Sequence, residues 1–252
     1  MVRLFTDFDG TITTGDVGDA LFGCFGGAEA LHAVAGYRDG KLSAVGCFEA
    51  ECRACGAVGV TELGGFLDSA RIDDTFPEFV AWCRRREFPL MILSDGMDAY
   101  IDGILRRHGL SDVEFRANRM EIRPAPAADT VSFVPSFPYT DEVCDRCASC
   151  KRNHMLTMSA DDDIIVYIGE GYSDRCPAQY ADVVFAKDDL LGWCRANSIP
   201  CHEYASFREI SARIDRMAPP AVPGGRATAG PAAGFGRRRR AAIARRDIYL
   251  GG

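Results

Sequence analysis

Three short apolar runs in this chain each end on polar residues beside a glycine. Val2–Phe5 leads into Asp7-Phe-Asp9-Gly-Thr, Phe88–Leu93 into Ser94-Asp95-Gly96, and Asp163–Gly169 into Glu170 and, four residues on, Asp174. Short β-rich runs cut off by turn residues predict buried strands. A further run at Ala181–Ala186 and shorter β-like pieces near Val113–Arg116 and Thr130–Val134 add to the set. Strands alternating with helical patterns predict an α/β fold, a Rossmann-like parallel sheet covered by helices on both faces. Ligands bind such sheets beyond the carboxyl ends of the strands, so the three polar clusters are expected to meet at one place.

Residues 16–86 carry no convincing strand. Helices are expected from Asp16 to about Val34, Leu42 to Cys55, Thr61 to Leu67 and Thr75 to Arg86, with Asp16 as the first cap. Later helices are expected at Met97–Arg107, from Lys151, at Asp188–Arg195 and at Ser206–Met217. The division that follows is a core of residues 1–15 and 87–217, a helical insert at 16–86, and a tail at 218–252. The tail is Pro, Gly, Ala and Arg with few large apolar residues, a composition expected to be disordered.

Charge narrows the partners. The tail holds seven arginines against Asp247, which leaves residues 1–217 with 22 basic and 35 acidic residues, a formal charge of −13. Such a body is a poor match for nucleic acid. The Arg237–Arg240 run could touch an anionic surface, although a solvated tail is the simpler expectation. No apolar run approaches the 18 or more residues of a membrane span, and the first strand begins at residue 2, where a signal peptide would lie. The expected location is the cytoplasm, and the sequence fixes no oligomeric state.

Asp7 and Asp9 are two apart on an extended chain and so point to the same side, with Phe8 turned away. One carboxylate can attack an electrophile while the other handles a proton, which with a divalent cation is an apparatus for phosphoryl transfer through an acyl phosphate. Taken alone, an Asp-x-Asp-Gly is also a plain turn or a weak calcium loop. The other strand ends supply what a phosphomonoesterase still needs. Ser94 and Gly96 offer a hydroxyl and turn amides to phosphoryl oxygens, and Lys151 a fixed positive charge. Asp95, directly after Ser94, is placed beside the phosphate, where it would face the leaving group and favour a cation. Glu170 and Asp174 add oxygen ligands for magnesium.

In this order the residues resemble the haloacid dehalogenase superfamily of aspartate-nucleophile phosphatases. Asp7-Phe-Asp-Gly-Thr is similar to its first motif, Leu93-Ser-Asp-Gly to its second, Lys151 to its third and Gly169-Glu-Gly-Tyr-Ser-Asp to its fourth. The resemblance covers about residues 1–215 and implies that 16–86 forms a small helical cap like that of the phosphoserine phosphatase branch. It also implies that Asp7 is the nucleophile and Asp9 the general acid and base. Mg2+ would be held by Asp7, the Asp9 carbonyl and the acid at position 170, where the family usually has aspartate and this chain has Glu170. Ser94-Asp-Gly-Met-Asp, the cysteines running into Lys151, and Val184-Phe-Ala-Lys-Asp-Asp-Leu-Leu with Cys194-Arg are most similar to the methionine-salvage phosphatases. The implied partner is a small phosphorylated metabolite. It would be 2-hydroxy-3-keto-5-methylthiopentenyl-1-phosphate, with an amine-bearing ester such as phosphoserine, phosphoethanolamine or phosphocholine as the alternative. A catalytically silent binding protein is the rival from another class.

Eleven cysteines remain, and most are scattered enough to be small buried hydrophobes. Cys144, Cys147 and Cys150 recur at three-residue spacing before Lys151, with His154 beyond. That spacing suits a structural Zn2+ as well as it suits plain buried thiols.

Overall fold

A computed structural model of the chain describes residues 1–218; the expected tail lies outside the described residues, apart from Ala218. At its centre is β1 (Val2–Thr6), paired in parallel with β3 (Leu90–Met97) on one side and β6 (Ile164–Gly169) on the other. Thr6 is opposite Ile92 in one pair and Ile168 in the other, so the three motif-bearing strands finish side by side.

The register explains why the polar residues converge. Alternation then divides β1 between two cores. Leu4 belongs to one with α4 (Phe76–Arg85), α5 (Asp98–Arg107) and α9 (Phe207–Met217). Phe5 belongs to the other with α6 (Lys151–Thr157), α7 (Arg175–Tyr180) and α8 (Asp188–Ala196). The sheet is thus covered on both faces.

The complete sheet has eight strands in the order β2-β5-β4-β3-β1-β6-β7-β8. On the far side of β6 lie β7 (Val183–Ala186) and the two-residue β8 (His202–Glu203), both parallel. The other edge departs from the all-parallel expectation. There β4 (Phe115–Pro124) begins parallel to β3, then turns outward as an antiparallel hairpin with β5 (Thr130–Ser136). A short β2 (Val58–Gly59), inside the segment expected to be purely helical, adds to β5 antiparallel.

The hairpin supports the inserted helices α1 (Val17–Arg38), α2 (Ala44–Cys55) and α3 (Val60–Ser69). Phe48 of α2 lies 6.2 Å from Phe137 just past β5, and 6.2 Å from Phe22 of α1. Gly27, at φ 54° and ψ −138°, breaks α1 into two helical arms, so the single helix read from sequence bends there. One residue earlier, a Cβ on Gly26 would meet that of Ala54 at 3.2 Å, so α1 and α2 touch where only glycine fits. The sequence division counts α4 with the insert, yet α4 packs on α9, with the Phe76 and Phe79 rings 4.8 and 5.1 Å from Phe207. Large aromatics spaced three apart fix it to the main body.

Candidate active site

Asp7 follows β1 and is buried; its backbone N–H donates to the Ile168 carbonyl, which continues the ladder with β6 one residue past the strand. Lys151 opens α6 and is also buried. All three of its ammonium protons are engaged: it donates to Asp7 Oδ1 at 2.5 Å, to Asp174 Oδ1 at 2.7 Å and to Ser173 Oγ at 2.8 Å. Burial by itself would lower the lysine's pKa, but Asp174 and Asp7 override it and raise it, so the cation is permanent. Thr11 Oγ1 donates to the other Asp7 oxygen at 3.1 Å. Burial and the nearby Asp174 push the Asp7 carboxyl up to about 7, with Lys151 pulling the other way.

Asp174 differs from its expected role as a magnesium ligand. Lys151 and the Tyr167 hydroxyl donate to Oδ1, while the Glu170 and Gly171 amides donate to Oδ2. Four donors occupy the four lone-pair positions of a carboxylate, so this residue fixes the lysine and the turn. Gly169 is small for this reason: a Cβ there would lie 2.5 Å from Asp174 Oδ2.

Asp9 accepts from the Val17 amide at 3.1 Å through Oδ1, and through Oδ2 from the Tyr100 hydroxyl at 2.9 Å and Ser94 Oγ at 3.4 Å. Val17 is the first residue of α1, so its amide is one of the donors a helix start leaves free. Burial, with Asp16 and Asp7 nearby, holds the Asp9 carboxyl well above the usual carboxylate range. Ser94 Oγ accepts from the Gly96 amide at 2.9 Å, and a Cβ on Gly96 would collide with Tyr100 Oη. Tyr100 was not singled out from sequence. Its place, four residues after Gly96 in the first turn of α5, is the signal that was available.

Asp95 turns away from the position expected for a leaving group. Its Oδ1 accepts from the Ala148 and Ser149 amides at 2.8 and 2.7 Å, and its carbonyl accepts from Asn118. It thereby holds the loop that delivers Lys151. Burial raises its carboxyl to about 6, against the pull of the two amides and Lys151.

The cysteine loop is organised by carboxylates. Asp141 accepts from the Val143 and Cys144 amides, from Arg152 and from Asn153, and Cys150 N–H donates to the Tyr139 carbonyl. His154, proposed with Cys144, Cys147 and Cys150 for Zn2+, instead lies edge-on to Tyr139 with ring centres 4.6 Å apart; burial and Arg116 lower its pKa to about 4. Among the described residues no three His, Cys, Asp or Glu side chains are grouped to hold a metal ion, so the zinc expectation is not supported. The same loop reaches the inserted helices: Tyr37 Oη donates to the Arg146 carbonyl at 2.6 Å, and the Ala44 amide to that of Asp145 at 3.0 Å.

Glu170 lies over the Asp7–Gly10 turn. Gly10 adopts φ +69°, and a Cβ there would sit 3.0 Å from the Glu170 carboxyl carbon. Burial, then Asp7 and Asp174, push Glu170 up to about 7. Negative charge therefore exceeds positive charge around Asp7, with oxygens as the available donors. Magnesium usually takes one or two carboxylates and keeps several waters, so Asp7 and Glu170 suit it without a full protein cage.

A family model described as haloacid dehalogenase-like hydrolase matches residues 4–179. The chain is 25% identical over 231 residues to a polyol phosphate phosphatase of Saccharomyces cerevisiae, covering 85% of this chain and 92% of that one. It is 28% identical over 221 residues to a 2-hydroxy-3-keto-5-methylthiopentenyl-1-phosphate phosphatase of Geobacillus kaustophilus, covering 85% and 96%. In fold it is similar to a phosphoserine phosphatase solved as a phospho-aspartyl intermediate analogue, with a TM-score of 0.61, 15% identity, and coverage of 84% and 99%. Among the described residues no helix is long and apolar enough to cross a membrane.

Proposed function

The chain belongs to the haloacid dehalogenase-like hydrolases, and from that premise we propose that it is a magnesium-dependent phosphatase of small phosphomonoesters working through an aspartyl phosphate on Asp7. The observation that carries this reading is the pairing of Asp7 with Lys151 beside an Asp9 held in the range of a proton donor. An Asp7 oxygen attacks phosphorus as the bond to the leaving oxygen breaks, and Asp9 gives that oxygen its proton. Asp9, now a carboxylate, then takes a proton from the water that attacks the phosphoryl group. The phosphorus–Asp7 bond breaks, inorganic phosphate leaves, and both carboxyl groups return to their starting states. Lys151 and the Ser94 hydroxyl face the charge on the phosphoryl oxygens throughout.

Asp7, Glu170 and the Asp9 carbonyl would hold Mg2+, which when bound neutralises phosphoryl charge. As for substrate, the named relatives act on polyol phosphates and on the methionine-salvage enol phosphate, and we keep the latter as the candidate raised by the motifs. The amine-bearing alternative rested on Asp95 facing the leaving group, and the two amide bonds to its Oδ1 remove that support. Hydrolysis of p-nitrophenyl phosphate with magnesium, lost on adding EDTA, tests the reading. A metal-loaded protein with no turnover on this ester or on a panel of phosphorylated metabolites would return it to a binding role.

A further inference from the structure

Of the eleven cysteines, all free thiols, only Cys24 and Cys144 are exposed. Cys24 belongs to the inserted helices. Cys144 lies in the loop that runs into Lys151, and the catalytic description gives the thiols of that loop no role.

One carboxylate draws Cys144 to the approach of Lys151. Asp141 Oδ1 accepts from the Cys144 amide at 3.0 Å, while its Oδ2 accepts from Arg152 at 2.8 Å and from Asn153 at 2.9 Å. From the other direction, the Cys150 amide donates to the Tyr139 carbonyl at 2.8 Å. Residues 139–144 thus fold back around the start of α6, and Cys144 and Cys150 share one patch. The Asp141 side chain is only 4% exposed, so this fold-back is a fixed part of the loop. The charge of Cys144 bears on Cys150, as their proximity requires.

The two thiols differ in reach. Cys144 is open to solvent, where a small reagent meets it first. Cys150 is half-buried, and burial raises its thiol above the ordinary range, with the Asn153 amide and Arg152 drawing it back. A thiol kept mostly protonated reacts slowly with a reagent in solution. Beside a partner sulfur in the same patch it reacts within one molecule, where proximity offsets the small thiolate fraction. Cys144 is therefore suited to entry and Cys150 to resolution.

We propose that Cys144 and Cys150 are a redox pair whose disulfide switches the phosphatase off by displacing Lys151. The effect on rate rests on the phosphatase reading above; the disulfide itself does not. The oxidant is a small-molecule disulfide, RSSR. The Cys144 thiolate attacks one of its sulfurs, the S–S bond breaks, and RS− leaves and takes up a proton. The Cys150 thiol then loses its proton to water, its thiolate attacks the Cys144 sulfur, and the second RS− leaves and is protonated. Two protein thiols are oxidised as one RSSR is reduced to two RSH. A disulfide joins its sulfurs at about 2.05 Å with Cα atoms about 4.4–6.8 Å apart. Asp141 holds the Cys144 amide, and Asp95 grips the Ala148 and Ser149 amides, so the strain of closing falls on Cys150. Its sulfur is drawn outward, and Lys151 is joined to it by one peptide bond. The lysine ammonium is seated on Asp7, Ser173 and Asp174 within 2.8 Å, a fit that tolerates no such turn.

The test treats the full chain, loaded with magnesium, with oxidised glutathione and follows p-nitrophenyl phosphate hydrolysis and tryptic peptides. Trypsin cuts after Arg146 and Lys151, so the bridge joins two peptides, and a Cys147→Ser background makes the link unambiguous. Hydrolysis should fall at least about tenfold, since misplacing a catalytic group by about 1 Å can cost ~10²-fold, and dithiothreitol should restore it. Cys144→Ser and Cys150→Ser, each compared with its own untreated rate, should resist the treatment. Cys144 is exposed, so its variant covers the case in which Cys150→Ser does not fold. Absence of the linked peptide, a link to Cys147 or Cys176 instead, a link without loss of rate, or a loss that persists in Cys144→Ser overturns the proposal. Reduced wild type that turns over no ester overturns the phosphatase reading instead, and the linked peptide then decides the redox pair alone.

Discussion

Two buried carboxyl clusters, one in the site and one in the inserted helices, are held by opposite means. At the phosphoryl end, Asp7, Lys151 and Asp174 form a network in which every ammonium proton and every Asp174 lone pair has a named partner. In the inserted helices Glu51 is equally buried, and its carboxyl pairs with the Cys47 thiol, a weak donor, beside an open groove. A saturated network fixes geometry for a group common to every phosphate ester. A weakly paired carboxyl leaves hydrogen-bonding capacity unused.

Changes that break the saturated end should cost most. Asp7→Asn should remove turnover by at least ~10³-fold, the scale for deleting a member of a catalytic unit, as measured by steady-state hydrolysis. Retention of a tenth of the activity would take Asp7 out of its role. Lys151→Met leaves Asp7 and Asp174 buried together without their cation, and breaking such a pair costs about 3–5 kcal/mol. Urea unfolding of the metal-free protein should show that loss; a midpoint within error of wild type would mean that the network is not structural.

Asp9→Asn should lower the rate by ~10²–10⁴-fold for alkyl phosphates and less for p-nitrophenyl phosphate, whose leaving oxygen needs no proton. Equal losses across leaving groups would mean that Asp9 acts only through structure. Asp95→Asn should cost less, and by the same factor on charged and uncharged esters, because Asp95 acts through the loop before Lys151. A loss confined to amine-bearing esters would restore it to the leaving group.

The smallest effect sharpens the unsaturated end. The folded-state pKa of Glu51, about 8, lies above its ordinary value of 4.5, so the folded protein binds more protons than the unfolded chain between those limits. Its contribution therefore favours folding at low pH and falls away as pH rises from about 4.5 through 8. With EDTA present, Glu51→Gln should flatten the decline of Tm between pH 6 and pH 8 and raise Tm at the upper end. Parallel curves for variant and wild type would show that Glu51 is not held protonated.

The catalytic strand ends were legible because each is a local pattern, an apolar run closed by polar residues and glycine, and β1, β3 and β6 pair so that those ends coincide. The directions of Asp95 and Asp174 were not. Asp95 is 53 residues from the Ala148 amide it accepts from, and no spacing announces such a partner. The β4–β5 hairpin was read short because β4 leaves the sheet halfway, and residues beyond Met120 are exposed without the apolar alternation that marks a covered strand. The cysteine spacing suits zinc and plain thiols alike, and His154 has an aromatic neighbour, Tyr139, that sequence distance concealed.

The two bonds from the inserted helices to the Asp145 and Arg146 carbonyls have a mechanical consequence. Those carbonyls belong to the same short stretch of backbone that runs on to Lys151, so the roof over the site and the cation beneath it are fastened to one cord. Raising the roof to admit substrate or release product either cuts those fastenings or pulls the cord. Between those fastenings and Lys151 the Asp95 carboxylate grips the Ala148 and Ser149 amides, so a pull from the roof is met there before it reaches the lysine. The cation is thus insulated from movement of the roof by an anchor on the main body.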